Sequence, residues 1–407
     1  MKRLAFFAVA GLFVTACQSD SVTGPSSDHL AAVGNELLVT QDWSGGSGLP
    51  GPNAPGLRVM TYNVYLGTNL DPVIAAASIT PPDPVAALTA ATLAYAELQQ
   101  TNFPQRAGKI ADQIAAVQPD IVGLDEVALW SVSAPYNPET GEGAPFVTQY
   151  DFVKLVMAAL KARHLNYVVA SADTTSDVSA PVATAFDGSG NPTAFALVRF
   201  QDRDAILVRA GTRFRDPRHA RFATFIPLTL LGTDNGLYRG WCSIEATVDG
   251  QSFRFVNSHL EAESPDVNLA QADELVGLLR NEHNPVIWVG DFNADANTHA
   301  PSYALITSAG FRDLWPLAHP RDAGLTNGPA DGVGALDANG VLVPFKHLVF
   351  NARIDLVLLR DRLGRPHDVD AAIFGTEQKD RTASGLFPSD HAAVGMVFEL
   401  PTDWDHR

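Results

Sequence analysis

The sequence predicts an α/β fold of layered sheets and helices, on three observations. From Leu57 onward, strand-like and helix-like segments alternate. Apolar runs such as Ile121–Leu124 and Val286–Val289 abut clusters of Asp, Glu, Asn or His, which places polar chemistry at one end of a buried sheet. The chain of 407 residues is 46% hydrophobic and 18% charged, enough for a large core and unlike a disordered chain. That length admits two or three domains, or one sandwich of about 250 to 350 residues with flanking segments.

The chain opens on a targeting pattern. Lys2 and Arg3 supply positive charge, and Leu4 to Ala16 form an apolar stretch too short to span a bilayer. It runs into Val14-Thr15-Ala16-Cys17, which resembles a bacterial lipobox. Residues 1–16 are expected to be a signal peptide and Cys17 the lipidation site, holding the protein outside the cytoplasm on a membrane, facing the periplasm or the cell surface. An ordinary signal peptide with an incidental cysteine is the alternative. Residues 17–56 are rich in Ser, Gly and Pro and are expected to form a flexible tether, with an apolar patch at Leu37-Leu38-Val39. The folded domain is expected over 57–400, followed by a tail over 401–407.

Within the domain, Leu57–Asn63 alternates and ends in an amide. Arg106 to Val117 carries Ile110, Ile114 and Val117 at helical spacing and feeds a buried strand that ends at Asp125-Glu126. Asp151 to Arg163 is an amphipathic helix candidate. Asp187 to Pro192 is a turn between two strand-like runs. Leu237 to Val248 is an apolar-rich strand with Cys242 inside it. Besides Cys17 this is the only cysteine, so a lipidated Cys17 leaves no intramolecular disulfide, and Cys242 is expected to be a buried small hydrophobe. Phe253 to Leu260 alternates and presents His259. Asn268 to Arg280 has a helical pattern. Pro285 to Asn293 is a strand ending in Gly290-Asp291-Phe292-Asn293. Residues 317–345 are Gly- and Asp-rich, as in a long loop beside a site. Arg353 to Leu359 carries Asp355 inside an apolar strand, and Phe387-Pro388-Ser389-Asp390-His391 precedes the apolar run Ala392 to Leu400.

These residue types suit phosphate-ester hydrolysis. That chemistry needs a divalent ion, a group that orients hydroxide, and donors to the non-bridging oxygens. Asn63, Glu126, Asp291, Asn293 and Asp390 offer hard oxygens of the kind Mg²⁺ takes, and no Cys/His cluster has zinc spacing. His391 can exchange a proton near neutral pH, or stay protonated beside a phosphate if a carboxylate supports it. Asp355 is a candidate partner, because a buried carboxylate is costly unless paired. Asp291 and Asn293, at i and i+2, leave an extended segment on the same side, although an Asx turn would explain the pair as well.

Six strand-end junctions in this order resemble the endonuclease/exonuclease/phosphatase superfamily, which includes DNase I-like nucleases, abasic-site endonucleases, neutral sphingomyelinases and inositol-polyphosphate phosphatases. The resemblance covers roughly residues 57 to 400. It implies a four-layer sandwich, two mixed β-sheets packed face to face with helices outside. It makes Glu126 the principal metal ligand, Asn63 a metal or phosphate contact, Asp291 a metal-binding or water-orienting carboxylate and Asn293 a donor to phosphate. Asp390 is expected to face the metal. His259 matches a second histidine of the DNase I-like and sphingomyelinase branches, where abasic-site endonucleases tend to carry a tyrosine. The expected cofactor is Mg²⁺, with Mn²⁺ as a substitute.

Substrate class stays open. The formal net charge of −17 repels phosphate backbones at long range. Against it, Arg199, Arg203, Arg209, Arg213, Arg215, Arg218 and Arg221 form a basic island, which either holds an anion or is a solvated set of hairpins paired with acids. Arg239 and Thr326 are further candidates for phosphate contact. The expected activity is nuclease-like phosphodiester hydrolysis by in-line water attack, in a monomer. The alternatives are a phospholipid or sphingomyelin phosphodiesterase, a small phosphoester hydrolase, and a catalytically silent surface-binding protein on the same scaffold. No long apolar hairpin suited to bilayer insertion stands out.

Overall fold

The computed structural model describes residues 48–51, 54–79, 81–230, 233–328 and 332–401. The signal segment, Cys17, the Leu37–Val39 patch and nearly all of the tether and the tail lie outside the described residues.

Two six-stranded sheets form the centre. The first runs, in spatial order, His367–Phe374, Ala393–Glu399, Leu57–Asn63, Ile121–Asp125, Ala205–Arg209, Tyr167–Ala172. The second runs Arg213–Arg221, Gly240–Val248, Gln251–His259, Val286–Asp291, Asp355–Arg360, Arg312–Asp313. Each is mixed: Leu57–Asn63 pairs parallel with Ile121–Asp125, and Gln251–His259 pairs parallel with Val286–Asp291.

Period-two alternation divides the side chains between layers. Val59, Ile121, Phe253, Phe255, Ile287 and Val289 meet in the core between the sheets. Their neighbours Met60 and Val122 point outward to Ile110, Ile114 and Phe152 of the covering helices. On the other side Val256, Trp288 and Leu358 pack against Leu275 and Ile306. The strands are thus buried on both faces, and the four-layer sandwich implied by the strand-end motifs is the fold observed.

The helices form where their sequences dictate. Phe103–Val117 buries the face bearing Ala107, Ile110, Ala111, Ile114 and Val117, and stops at Gln118 in the left-handed region (φ 49°). The third expected helix spans Pro265–Leu279, three residues earlier than its apolar pattern suggests, because Ser264 caps it and Pro265 suits its first turn. The Asp187–Pro192 turn joins two long strands of a separate four-stranded sheet, Val147–Asp151, Leu129–Ser133, Pro192–Gln201 and Asp177–Phe186. Helices Asp71–Ala77 and Pro84–Gln100 belong to the same side of the molecule; neither they nor this sheet had been expected. Within 317–345, a short hairpin pairs Gly334–Leu336 with Leu342–Pro344 around a turn capped by the Asp337 carboxylate. Cys242 is a free, buried thiol pushed up by burial, as its apolar strand implies.

Candidate active site

The strands ending at Asn63, Asp125, His259 and Asp291 finish at the same edge of the sandwich, where the two sheets are tied across the core. Asp125 makes the tie. Its Oδ2 accepts from the Asp291 backbone N–H at 2.9 Å and its Oδ1 from Asn257 Nδ2 at 2.8 Å. Gly290 is needed just before Asp291. Its φ of +136° is left to glycine, and a Cβ there would lie 2.0 Å from the Ser258 carbonyl oxygen.

Glu126 and Asp291 converge on one point. Asn63 Nδ2 donates to Glu126 Oε1 and to Asp291 Oδ2, each at 3.0 Å. Glu126 Oε2 accepts from the Leu66 backbone N–H at 2.7 Å. Burial, then the charges of Asp390 and Asp202, pushes Glu126 up to about 7. Burial does the same to Asp291, to about 6, against the opposing charge of His391. Asp390 is buried, with Oδ2 accepting from the Gly332 N–H at 2.8 Å and Oδ1 from Ser389 Oγ at 3.3 Å. Carboxylates crowded this way favour a bound cation. Asn63, Glu126, Asp291 and Asp390 supply hard oxygens, and Asp355 Oδ1 is a buried oxygen with no partner among the described residues. Asp291, Asp355 and His391 each place a ligand atom within 4.8 Å of the others. The residues therefore fit a divalent ion.

Two histidines flank Asp291. His391 Nε2 lies 3.7 Å and His259 Nε2 3.6 Å from Asp291 Oδ2. Their environments differ. His391 Nδ1 contacts Asp355 Oδ2 at 3.0 Å, and burial is outweighed by the charges of Asp355 and Asp291, which hold the ring well above the ordinary imidazole range. Asn327 Nδ2 stands 2.8 Å from His391 Nε2, an arrangement for the neutral ring; with the ring protonated, the same amide turned over presents its oxygen. His259 is held well below the imidazole range by burial, then by the charges of Arg239 and His391. Arg239 Nη1 faces its Nδ1 at 3.1 Å, and an arginine only donates, so the proton of the neutral ring sits on Nε2, on the side of Asp291 Oδ2, while the Asn293 amide nitrogen 3.1 Å from Nε2 donates to Leu260 O instead.

The structure thus brings Asn63, Glu126, His259, Asp291, Asn293, Asp355, Asp390 and His391 to one edge. Two expectations are corrected in detail. Asn293 does not continue an extended segment: it is left-handed (φ 46°), its N–H donates to Asp291 Oδ1 at 2.9 Å in an Asx turn, and its Nδ2 reaches Leu260 O and the His259 ring. Thr326 is fully buried, and its hydroxyl accepts from the N–H groups of Ile354 and Asp355, so it positions the strand carrying Asp355 instead of waiting for a phosphate. Arg239 lies between Asp202, Glu261 and His259 and sets the His259 tautomer. In the arginine island, Arg199, Arg203, Arg209, Arg215 and Arg218 pair with Asp177, Asp151, Asp120, Glu245 and Asp216.

Several supporting residues escaped the sequence. Arg106 is buried and donates to the carbonyls of Val64, Tyr65, Thr101 and Pro388, clasping the segments that follow Asn63 and precede Asp390. A charged residue on the apolar face of Phe103–Val117 was the available signal. Asp125, beside Glu126, reads in the sequence only as part of the same strand end, and nothing local marks Asn257 or Asn327.

Comparison with known proteins adds the following. The family model described as Endonuclease/Exonuclease/phosphatase family matches residues 60–391. No curated protein matches the chain. Among solved structures the chain is similar to an endonuclease/exonuclease/phosphatase family protein from Leptotrichia buccalis C-1013-b, at 16% identity over 84% of this chain and 100% of that one, with a TM-score of 0.49. It is also similar to D. rerio TDP2 complexed with single strand DNA product, at 16% identity over 85% and 100% of the chains and a TM-score of 0.47. A third likeness is to the mannosyl-6-phosphatase Bt3783 of Bacteroides thetaiotaomicron VPI-5482, at 16% identity over 84% and 100% and a TM-score of 0.41. The family match runs from the first strand of the catalytic edge to His391: this chain belongs to the endonuclease/exonuclease/phosphatase family and is a hydrolase of phosphoester bonds.

Proposed function

We propose that the chain is a Mg²⁺-dependent phosphodiesterase that cleaves nucleic-acid strands by in-line attack of water. The observation that carries this reading is the convergence of His391 and His259 on Asp291 Oδ2, at 3.7 and 3.6 Å. A phosphate seated there would meet a positive ring on one side and a neutral N–H donor on the other. Asn63, Glu126, Asp291 and Asp390 would hold the ion, with Mn²⁺ as a substitute. When bound, the ion neutralises charge on the phosphate oxygens.

The remaining steps belong to the chain's own residues. Asp291 Oδ2 takes a proton from the attacking water as its oxygen bonds to phosphorus. His391, kept charged by Asp355, donates to a non-bridging oxygen as the pentavalent state forms. The neutral His259 Nε2–H hydrogen-bonds the leaving oxygen, which departs with the bonding pair as its bond to phosphorus breaks with inversion and takes its proton from solvent. No covalent enzyme intermediate is needed.

A second reading, cleavage of phospholipid headgroups, is favoured by an apolar cavity lined by Leu70, Val73, Ile74, Trp130, Leu228 and Leu237. Trp130 Nε1 donates to Leu66 O, and Leu66 N–H to Glu126, so this cavity adjoins a segment that touches the site. Release of labelled ends from a single-stranded oligonucleotide, against headgroup release from phosphatidylcholine and sphingomyelin vesicles, separates the two. The nucleic-acid reading expects the oligonucleotide to be cut and the vesicles to stay intact; the reverse result would replace it.

The same reading places the protein outside the cytoplasm, anchored by a lipid on Cys17 and tethered through residues 17–56 as a monomer. Lys2, Arg3 and the short apolar run before Cys17 support this. Among the described residues no helix is long and apolar enough to cross a membrane. A Cys17→Ser chain is expected in the soluble fraction; its persistence in the membrane fraction would remove the anchor from the account.

A further inference from the structure

We infer that an open cleft between the two sheet edges, beside Arg221, holds a second phosphate of the substrate strand, about two or three nucleotides from the one being cleaved. This rests on the phosphodiesterase reading above. The cleft lies between Tyr167–Ala172, the edge strand of one sheet, and Arg213–Arg221, the edge strand of the other. It measures about 550 Å³, and Thr174, Arg203, His219, Arg221 and Asp173 line it.

Strand register places this cleft relative to the catalytic edge. Arg221 pairs with Gly240, and Gly240 pairs with His259. Neighbouring strands lie about 4.8 Å apart, so Arg221 stands roughly 10 Å along the sheet from His259. A nucleic-acid strand advances about 3.4 Å of axis per phosphate, which brings a phosphate some two or three positions away within reach of the Arg221 side chain.

The guanidinium is held ready. Arg221 Nε donates to the Thr174 carbonyl oxygen at 3.1 Å, and the group lies over the Tyr238 ring, 4.8 Å from its centroid. Among the described residues no carboxylate comes within ion-pair distance of it, unlike the five island arginines that pair with acids. Its terminal nitrogens are therefore left for an anion, in the planar fork that suits phosphate. Among the described residues Arg213 also has no acid within ion-pair distance, but it sits at the far end of its strand, opposite Thr247. Arg203 adds charge to the lining although it pairs with Asp151. Asp173 and Asp177 act on the Arg221 charge from beyond ion-pair distance and oppose an anion; Asp173 Oδ1 already accepts from the Asp204 N–H, and burial raises that carboxyl, which lessens its opposition.

Steady-state kinetics of the full chain test this. Wild type, Arg221→Gln and Arg213→Gln would each be assayed on a single-stranded oligonucleotide and on bis(p-nitrophenyl) phosphate, which has one phosphate only. The salt dependence of the oligonucleotide KM would be measured from 50 to 200 mM NaCl. For Arg221→Gln, the ratio of oligonucleotide to small-ester kcat/KM is expected to fall about tenfold, and the log–log salt slope to become shallower by about 0.7, one single-strand phosphate contact. Arg213→Gln is expected to match wild type. The subsite is overturned if Arg221→Gln keeps the wild-type ratio and slope, or if Arg213→Gln changes them equally, which would reveal a general charge effect. If the small ester turns over and no oligonucleotide does, the subsite fails while the catalytic assignment stands. If neither substrate turns over, the phosphodiesterase reading has failed and takes the subsite with it.

Discussion

His391 Nδ1 lies 3.0 Å from Asp355 Oδ2, a contact between residues 36 positions apart that fixes the ring beside Asp291. The pair joins the Ser389-Asp390-His391 motif on one sheet to the Asp355–Arg360 strand of the other. Loss of the ring is expected to cost both chemistry and stability, because it also leaves Asp355 buried and unpaired. His391→Ala should lower kcat by about 10² to 10⁴, the usual yield of one positioned proton-transfer group. Urea unfolding of the same variant at neutral pH is expected to show a loss of about 3 to 5 kcal/mol, because the Asp355 carboxylate is left buried without its partner. A large loss of stability with kcat intact would make the pair structural.

Thr326 supports that pair from behind. Its hydroxyl accepts from the N–H groups of Ile354 and Asp355 at 3.2 and 3.1 Å. Thr326→Val leaves two buried donors without an acceptor, at a cost of about 1 to 3 kcal/mol for each group left unsatisfied. The expected kinetic signature is a fall in kcat with KM nearly unchanged, and recovery in Thr326→Ser. A selective rise in KM would restore the phosphate contact that the sequence suggests.

Arg106 is the second support. All four of its acceptors are backbone carbonyls, and two of them, Val64 and Pro388, belong to segments next to Asn63 and Asp390. Arg106→Met removes the donors and leaves those carbonyls buried. The expected loss is above about 3 kcal/mol in urea unfolding, since several unsatisfied groups act together. Wild-type stability in this variant would show that the carbonyls find other partners.

The site was legible where chemistry and local pattern coincide. Asn63, Glu126 and Asp291 each end or follow an apolar run and His391 precedes one, so a strand and its polar terminus can be read together. Pairing of Asp355 with His391 was accessible because an isolated acid inside an apolar strand needs a partner. What escaped depends on long-range registry. Arg106 meets Pro388 across 282 residues, and Asn257 meets Asp125 across 132, and neither relation leaves a local trace. Asn293 misled because an i, i+2 rule assumes extended backbone, whereas the strand ends at Asp291. The Asp177–Phe186 and Pro192–Gln201 hairpin was half seen, as a turn, but the sheet it joins draws on strands from Leu129 onward.

Metal and pH are coupled through Glu126. Its folded-state value is raised to about 7, above the ordinary carboxylate value of 4.5. In that window the folded, metal-free protein binds more protons than the unfolded chain, so stability falls as pH rises from about 4.5 towards 7. Asp291, raised to about 6, acts in the same direction. A divalent ion should reverse the trend, because it binds the charged carboxylates. Thermal unfolding is expected to show a larger Mg²⁺-induced rise in Tm at pH 8 than at pH 5. Equal shifts at both pH values would separate the ion from these carboxylates.

Metal-dependent cleavage of a phosphodiester, with His391 taking part, is the activity that the proposed site would perform. Nicking of supercoiled plasmid tests it most directly, with wild type in Mg²⁺, wild type in excess chelator, and His391→Ala in Mg²⁺. Relaxed and linear plasmid are expected in the first reaction alone, with the variant slower by at least about 10². Nicking that survives the chelator, or proceeds at full rate without His391, would contradict it.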